Sequence, residues 1–357
     1  MKRIAAVIVN LLYLASYAQS DSLKPAFAIH GYMDIYYSYD FGSPPNHQRP
    51  DFLYSYNRHN EFNLNLGFIS VKYMNRFTRA SLALAAGTYM SANYAAEPDG
   101  LKNILEASAG IKIARKSSLW IDAGIFASHL GFESAIGKNC WTMTRSIMAE
   151  NSPYFETGAK ISYTSPNEKW LVSGLLLNGW QRIQRVEGNN TPAFGHQVTF
   201  TPNEKFSLNS SSFIGNDKPD SIRKMRYFHD LYARIQWNHA FGMIVGFDIG
   251  AEQKSKGSSS YHTWYTPVVI ARYSFHQSAF ALRGEYYHDP ANVIISSGYP
   301  YGFSTWGFSA NYDLSIRENI LWRIEARTFS ANDKIFLKYA LPASTNFALS
   351  TSLAVAF

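Results

Sequence analysis

The chain has 357 residues, of which 16% are aromatic and only 17% charged, where soluble domains carry about a quarter. Its mean hydropathy is −0.20, so it is low in charge without being greasy, as expected of a surface divided between lipid and water. The formal charge of +7 is not gathered into any basic run or helix, which gives no footing for a nucleic-acid partner. The single cysteine, Cys140, excludes an intramolecular disulfide framework and reads as a small filler residue more readily than as a reactive thiol.

The first residues have the pattern of a secretory signal. Lys2 and Arg3 form a positive start, Ile4 to Ser16 an apolar stretch, and Ser16-Tyr17-Ala18 a small-x-small cleavage site, so residues 1–18 are expected to be removed after Sec export. The apolar stretch is shorter than the roughly 20 residues of a spanning helix, and no cysteine near the cut suggests a lipid anchor. Cleavage leaves 31 basic against 26 acidic groups, or +5. No other apolar run approaches helical spanning length. The remaining way to cross a membrane is a closed barrel, which pairs every backbone group between strands.

The region 19–357 then reads as a series of two-residue alternations. Phe62, Leu64, Leu66 and Phe68 alternate with Asn63, Asn65 and Gly67, and Leu119, Ile121, Ala123 and Ile125 with Trp120, Asp122 and Gly124. Leu231, Ala233, Ile235 and Trp237 alternate with Asp230, Tyr232, Arg234 and Gln236, and Met243, Val245, Phe247 and Ile249 with Ile244, Gly246, Asp248 and Gly250. Ile320, Trp322, Ile324 and Ala326 alternate with Leu321, Arg323, Glu325 and Arg327. The clearest case is the last, where Phe347, Leu349, Thr351, Leu353, Val355 and Phe357 face away from Ala348, Ser350, Ser352, Ala354 and Ala356. Side chains alternate faces along a strand, so each segment has an apolar side for lipid and a polar or small side for a lumen. A soluble sandwich would carry more Lys and Glu on its polar face.

Between the strands, short turns (Asn75-Arg76-Phe77, Arg115 to Ser118, Thr164 to Lys169, Pro202 to Lys205, Asn238 to Phe241, Phe275 to Ser278, Ile316 to Asn319) alternate with long polar loops (Gly42 to Asn60, Asn93 to Leu101, Gly131 to Ser152, Arg182 to Pro192, Gly215 to Met225, Asp289 to Phe303). The expected fold is all-β: a transmembrane antiparallel up-and-down β-barrel of about 16 strands with short periplasmic turns and long extracellular loops. Its last strand, Asn346 to Phe357, should pair with a first strand near Ile29 to Tyr39 and leave no edge. Tyr36-Tyr37-Ser38-Tyr39, Tyr286-Tyr287 and Tyr299-Pro300-Tyr301 are expected in the aromatic girdles at the membrane interface.

A barrel of this size is too wide for wall side chains alone to fill, and the start of the first strand leaves no room for a plug domain. A constriction is therefore expected from the third long loop, Gly131 to Ser152, with a helix over Thr142 to Glu150 capped by Thr142. Its charges, Glu133, Lys138, Arg145 and Glu150, would face the wall and form an electrostatic filter; the alternative is a loop covering the mouth from outside. The wall charges in the inward register include Glu106, Lys112, Asp122, Asp230, Arg234, Asp248, Arg283, Glu285, Arg323, Glu325 and Arg327, since a charge on the lipid side costs about 2–4 kcal/mol near midplane. Arg323, Glu325 and Arg327 read either as a basic stripe or as a salt-bridge ladder. The histidines show no metal-ligand spacing, and Asn216 to Asp220 is an incomplete Ca²⁺ pattern. No local signature supports a catalytic centre, so no metal, cofactor or enzymatic role is expected.

Several segments resemble the bacterial beta-barrel porin-2 (OmpL-like) family. They are YSYNRHNEFNLNLGFI (Tyr54 to Ile69), GTYMSANYAAEP (Gly87 to Pro98), LWIDAGIFASHLGFESAIG (Leu119 to Gly137), WTMTRSIMAENSPYFETGAK (Trp141 to Lys160), LNGWQRIQR (Leu177 to Arg185) and FIGNDKPDS (Phe213 to Ser221). The resemblance covers nearly the whole chain after the signal. It implies an outer-membrane porin and transfers no catalytic or ligand residues. It also implies that the terminal aromatic Phe357 is the mark read by the barrel-assembly machinery. The expected function is passive diffusion of small hydrophilic solutes, with a solute-specific channel, a barrel enzyme and a surface-binding barrel as rivals. The expected surroundings are outer-membrane lipid and lipopolysaccharide, with a homotrimer as a candidate assembly.

Overall fold

The computed structural model describes residues 26–357; the expected signal peptide lies outside the described residues. Sixteen strands form one closed antiparallel barrel in which each strand pairs with its sequence neighbours. They are β1 (Ala26–Asp40), β2 (Phe62–Met74), β3 (Thr78–Ala86), β4 (Ile104–Lys112), β5 (Ser118–Ala127), β6 (Phe155–Thr164), β7 (Trp170–Leu177) and β8 (Ala193–Asn203). The circuit continues with β9 (Phe206–Gly215), β10 (Arg226–Gln236), β11 (Phe241–Gln253), β12 (Tyr261–Phe275), β13 (Ser278–Asp289), β14 (Phe303–Arg317) and β15 (Ile320–Ala331), and ends with β18 (Thr345–Ala356). Two short strands, β16 (Phe336–Lys338) and β17 (Leu341–Ala343), make a hairpin within the last long loop.

The turns on one rim are short and the loops on the other are long, so the short-turn rim, which also carries Phe357, faces the periplasm. The barrel closes where the alternation is cleanest. Tyr32 pairs with Ala356 and Asp40 with Ala348, while the other edge of β18 pairs with β15 from Ile320↔Val355 to Ser330↔Thr345. Gly31 and Phe357 exchange backbone hydrogen bonds at 2.6 and 2.9 Å. The Phe357 ring lies where a Cβ on residue 31 would stand, so only glycine at this position lets the terminal aromatic lie flat on the outer wall.

Along most strands the faces are those the alternation predicts. Val245, Phe247 and Ile249 are exposed to the bilayer, and Ile244, Gly246 and Asp248 are buried inside. In β2 the pattern breaks. The register against β1 shifts between Asp34 and Ile35, Leu66 is buried while Ile69 and Val71 are exposed, and Leu66 and Phe68 therefore do not follow Phe62 to the lipid side. A bulge adds one residue and exchanges the faces beyond it; Asn65 accepts the Tyr56 N–H there. Ile125, also expected outside, is buried among Tyr89, Tyr94 and Phe155. The tyrosine pairs divide by the same parity, Tyr36 and Tyr287 being buried inside rather than sitting in a girdle.

Candidate functional site

The third loop (residues 128–154) runs inside the barrel, and the wall charges hold it there. Arg323 grips Asp313 on β14 through two hydrogen bonds of 2.7 and 3.0 Å and donates two more to the Gly137 and Cys140 carbonyls at 2.8 and 3.0 Å. Arg283 donates to Thr142 Oγ1 (2.9 Å), the Thr144 carbonyl (2.7 Å) and Glu325 (3.0 Å). Glu325 in turn accepts the Thr144 N–H, and Glu285 the Ile147 N–H, each at 2.5 Å. Arg327 pairs with Glu285 at 2.7 Å and reaches Thr144 Oγ1. Arg234 donates to the Phe132 carbonyl at 2.6 Å, and Asn311 accepts the Met143 N–H at 2.9 Å. The run Arg323, Glu325 and Arg327 is thus part of an ion-paired network tied to loop backbone.

Ion pairs of this kind, with side chains 0–3% exposed, add little net stability because desolvation offsets their attraction. Their consequence is positional: each unmatched donor or acceptor would be costly, so the loop has one low-energy path.

The loop's own charges lie on that path. Arg145 donates to the carbonyls of Ser134, Met143 and Ala135 at 2.6, 2.7 and 2.9 Å, which makes it an internal staple. Glu133 accepts the Ser146 N–H at 3.0 Å and also its hydroxyl. Burial raises the Glu133 carboxyl above its ordinary range, with Arg283 pulling the other way. Lys138 crosses to the periplasmic rim, where its Nζ donates to the Glu318 carbonyl at 2.8 Å in the turn between β14 and β15. Glu150 accepts the N–H groups of Tyr54 and Ser55 in the first loop (residues 41–61) at 3.0 and 3.2 Å. Burial pushes the Glu150 carboxyl up to about 7, against the pull of Arg145.

The helix expected over Thr142 to Glu150 is shorter than the sequence suggests: one turn, Ile147–Glu150, capped by Ser146, whose side chain accepts from Ala149 N. Thr142 to Thr144 bend outside the helix, their backbone bonded to Arg283, Asn311 and Glu325.

Above this polar layer, the extracellular half of the lumen is packed with apolar side chains. Phe213, Phe228, Trp264, Tyr287, Phe303 and Phe329 project from the wall onto Phe52 and Leu53 of the first loop, Ile147 of the third, and Ile295 and Phe336 of the last two. Phe52 meets Phe303 edge-on at 4.9 Å and Phe329 at 5.4 Å, the geometry aromatic pairs prefer. Further loop ties complete the cover: Glu97 accepts the Ile183 and Gln184 N–H groups at 2.9 and 3.1 Å, and Gln181 accepts Tyr154 N–H at 2.7 Å.

The wall is not equally covered. Asp230, Asp248, Arg283, Glu285, Arg323, Glu325 and Arg327 are all buried, and Asp230 sits directly across from Asp248 in the β10–β11 register. On β3 to β6, by contrast, Arg79, Glu106, Lys112, Trp120 and Lys160 are only half-buried. Arg79 forms a bidentate pair with Asp122 two strands away. Gly110 makes this reach feasible, because a Cβ there would collide with the Asp122 carboxylate. Arg79 and Lys160 escaped the sequence reading: the first begins a strand next to a turn, and the second sits in the Gly158-Ala159-Lys160 stretch that carries no clear alternation. Asp313 and Asn311, which hold Arg323 and Met143, were missed likewise, although they share a parity on β14.

The outer wall carries serine–histidine contacts, and these bear on an enzymatic reading. Ser212 Oγ lies 2.5 Å from His196 Nδ1, Ser210 Oγ 3.0 Å from His229 Nε2, and Ser304 Oγ 2.8 Å from His288 Nδ1. A serine nucleophile needs its base oriented by a third group and donors for an oxyanion. Among the described residues, no carboxylate or amide side chain is hydrogen-bonded to the second nitrogen of these rings. Ser210 and Ser212 stand in mid-strand and Ser304 near the start of β14, all within the paired ladder. These contacts satisfy polar groups on a lipid-facing surface. Among the described residues no cluster of His, Cys, Asp or Glu could hold a metal ion; Asp217 and Asp220 are bonded instead to Arg226, Trp180, Asn190 and Thr191.

A closed sixteen-stranded barrel with an apolar outer face, short turns on one rim and an inward third loop defines an outer-membrane porin. The chain belongs to the family described as "Putative beta-barrel porin-2, OmpL-like", whose model matches residues 26–357. Solved structures share the fold at low identity. The anion-selective porin from Comamonas acidovorans is 8% identical, with 94% of this chain and 100% of that chain covered and a TM-score of 0.60. Outer-membrane expressed OmpT of Vibrio cholerae is 8% identical over 95% and 99% of the two chains, with a TM-score of 0.59. Salmonella typhi OmpF, in complex with daunomycin, is 11% identical over 93% and 97%, with a TM-score of 0.58. No curated protein matched the chain. The protein is a porin channel of the bacterial outer membrane.

Proposed function

We propose that this porin passes small hydrophilic solutes passively through its lumen, and that the conformation described is the closed one. The observation that carries this reading is the contrast within the barrel: the third loop is bonded to the β10–β15 wall and the apolar layer closes the outer mouth, while the β3–β6 wall keeps half-buried charges beside the remaining space. Opening then requires the first and third loops to part at Glu150, which leaves the strand ladder intact. Residues 1–18 act as the export signal, Phe357 as the assembly mark, and the barrel works without a cofactor or catalytic centre. A homotrimer is the proposed assembly; a structural neighbour, Vibrio cholerae OmpT, is described in a trimer form.

The test is planar-bilayer conductance with the two loops lockable. In a Cys140→Ser background, Ser55→Cys with Glu150→Cys should lower conductance when oxidised and restore it on reduction. No conductance above background under any voltage, salt or redox state would overturn the channel reading. Saturable block by one solute would favour a solute-specific channel over general diffusion.

A further inference from the structure

The half-buried charges of the β3–β6 wall lie in one band across adjacent strands. Register places Arg79 beside Gly110, Gly110 beside Asp122, and Asp122 beside Lys160; Lys112 stands across from Trp120 on the same face. Arg79 is 29% exposed, although its guanidinium is paired with Asp122 and stacked 4.4 Å from the Trp120 ring. Lys160 lies 4.7 Å from the Phe126 ring and Lys112 ends its strand at the periplasmic rim; among the described residues neither forms a salt bridge. Three cations thus face three carboxylates, Asp122, Glu106 and Glu156, of which Asp122 is taken up by Arg79 and Glu156 by His129.

The band is open at one end only. Toward the outside it meets Phe126, Leu175, Leu177 and Ala193, all buried in the apolar layer. Toward the periplasm, Ser162 and Thr164 on the same face of β6 remain half-buried. On the β10–β15 wall opposite the charges are buried, bonded to the third loop or, as with Arg226 and Glu252, to one another.

We infer that this band is a solute site, open to the periplasm in the closed porin, that takes small anions such as carboxylates, with Lys160 and Lys112 as its charge-selecting residues and the Arg79–Trp120 pair as a fixed side wall. This deepens the channel reading by placing its charge filter on the wall away from the third loop, and it rests on that reading only for conduction. A half-buried lysine that forms no salt bridge, its neighbours Asp122 and Glu156 being paired with Arg79 and His129, attracts an anion more strongly than it would in bulk water. The Arg79–Asp122 pair is neutral and orients the recess without adding net charge.

The test separates site from conduction. Ser162→Cys, in the Cys140→Ser background of the full-length barrel in oriented proteoliposomes, reports access. Membrane-impermeant thiosulfonate reagents of opposite charge, one anionic and one cationic, are added to either face. The expected result is reaction from the periplasmic face alone, with the anionic reagent faster. Lys160→Gln and Lys112→Gln should each slow the anionic reagent and speed the cationic one by about threefold, whereas Lys160→Arg should keep the preference. In a salt gradient, the reversal potential should move toward the cation value in the same two glutamine variants. Equal access from both faces, no access from either, or a charge preference unmoved by both glutamine changes would each overturn the inference. Sided, charge-dependent labelling in a barrel that never conducts would support the site and refute only the channel reading.

Discussion

The carboxylate of Glu150 accepts the backbone N–H of Tyr54 at 3.0 Å, so the third loop and the first meet at an acid buried beneath both. Its surroundings mix signs: Arg145 and Arg327 draw it toward ionisation, Arg49 and Arg283 lie within electrostatic reach, and Tyr54, Tyr89 and Tyr154 crowd it. Desolvation prevails and lifts the carboxyl from 4.5 to about 7. An acid raised in the folded loop binds more protons there than in water. The contact is therefore fully stable below the unfolded value and loses stability as pH rises through the folded one. Raising pH from about 5 to 8 should increase conductance, with a midpoint near 7 set by this group. Glu150→Gln should flatten that part of the curve, as single-channel recordings across the range would reveal.

A second prediction concerns Arg283, which binds Glu325 at 3.0 Å and Glu285 at 3.2 Å while holding Thr142 and Thr144. Arg283→Met strands a buried carboxylate and should cost about 3–5 kcal/mol. Changing Glu325→Leu together with it removes the stranded charge and should recover a large part of the loss. Urea unfolding of the detergent-solubilised barrel gives the energies, and protease cleavage within residues 128–154 reports whether the third loop has come free. Equal loss in the single and double variants would contradict the network.

The barrel was legible in the chain because a period of two fixes which side of a strand each residue takes, and turn chemistry fixes where strands stop. The seven short turns fall within a few residues of Asn75-Arg76-Phe77 and its counterparts. The exceptions have local causes. Leu66 and Phe68 changed faces because the β2 bulge shifts the parity beyond it, and a bulge leaves no mark in hydrophobicity. The inward charges could be placed on the wall, but their partners could not. Asp313 meets Arg323, and Arg79 meets Asp122 across an intervening strand, through lateral contacts that no spacing along one strand encodes. The shortened helix follows from the same cause, since backbone groups of Thr144 and Ile147 are claimed by Glu325 and Glu285. The apolar outer layer is built from Phe and Tyr that share composition with girdle residues, and only parity and loop packing tell Tyr287 from Tyr286.

Phe52 tests that layer. It is buried against Phe303, Phe329 and Phe336, and Phe→Ala in a rigid core costs about 3–5 kcal/mol. Because Phe52 stands on a loop that can retreat, the loss should appear chiefly as leak. Phe52→Ala should raise basal conductance and lower the threshold for opening, with little change in the unfolding midpoint of the barrel. Conductance unchanged from the parent would indicate that the outer layer does not limit flow.

The terminal strand supplies the last prediction. Phe357 exchanges two backbone hydrogen bonds with Gly31, and its ring, well exposed at 67%, rests on the glycine rather than in a core. Removing it leaves the pairing of Tyr32 to Asp40 with Ala348 to Ala356 in place, so the finished barrel should lose little stability. The effect belongs to assembly, where an exposed terminal aromatic is available to be recognised before closure. Deleting Phe357 should lower outer-membrane levels severalfold, while the fraction that does assemble keeps parental heat-modifiability and conductance. Gly31→Leu makes the complementary test: it keeps the terminal aromatic but expels its ring from the wall. It should therefore spare delivery to the membrane and weaken the β1–β18 closure instead, seen as a lower unfolding midpoint. Normal membrane levels of the truncated protein would remove Phe357 from assembly. Reduced levels of both variants together would mean that the contact acts through closure alone.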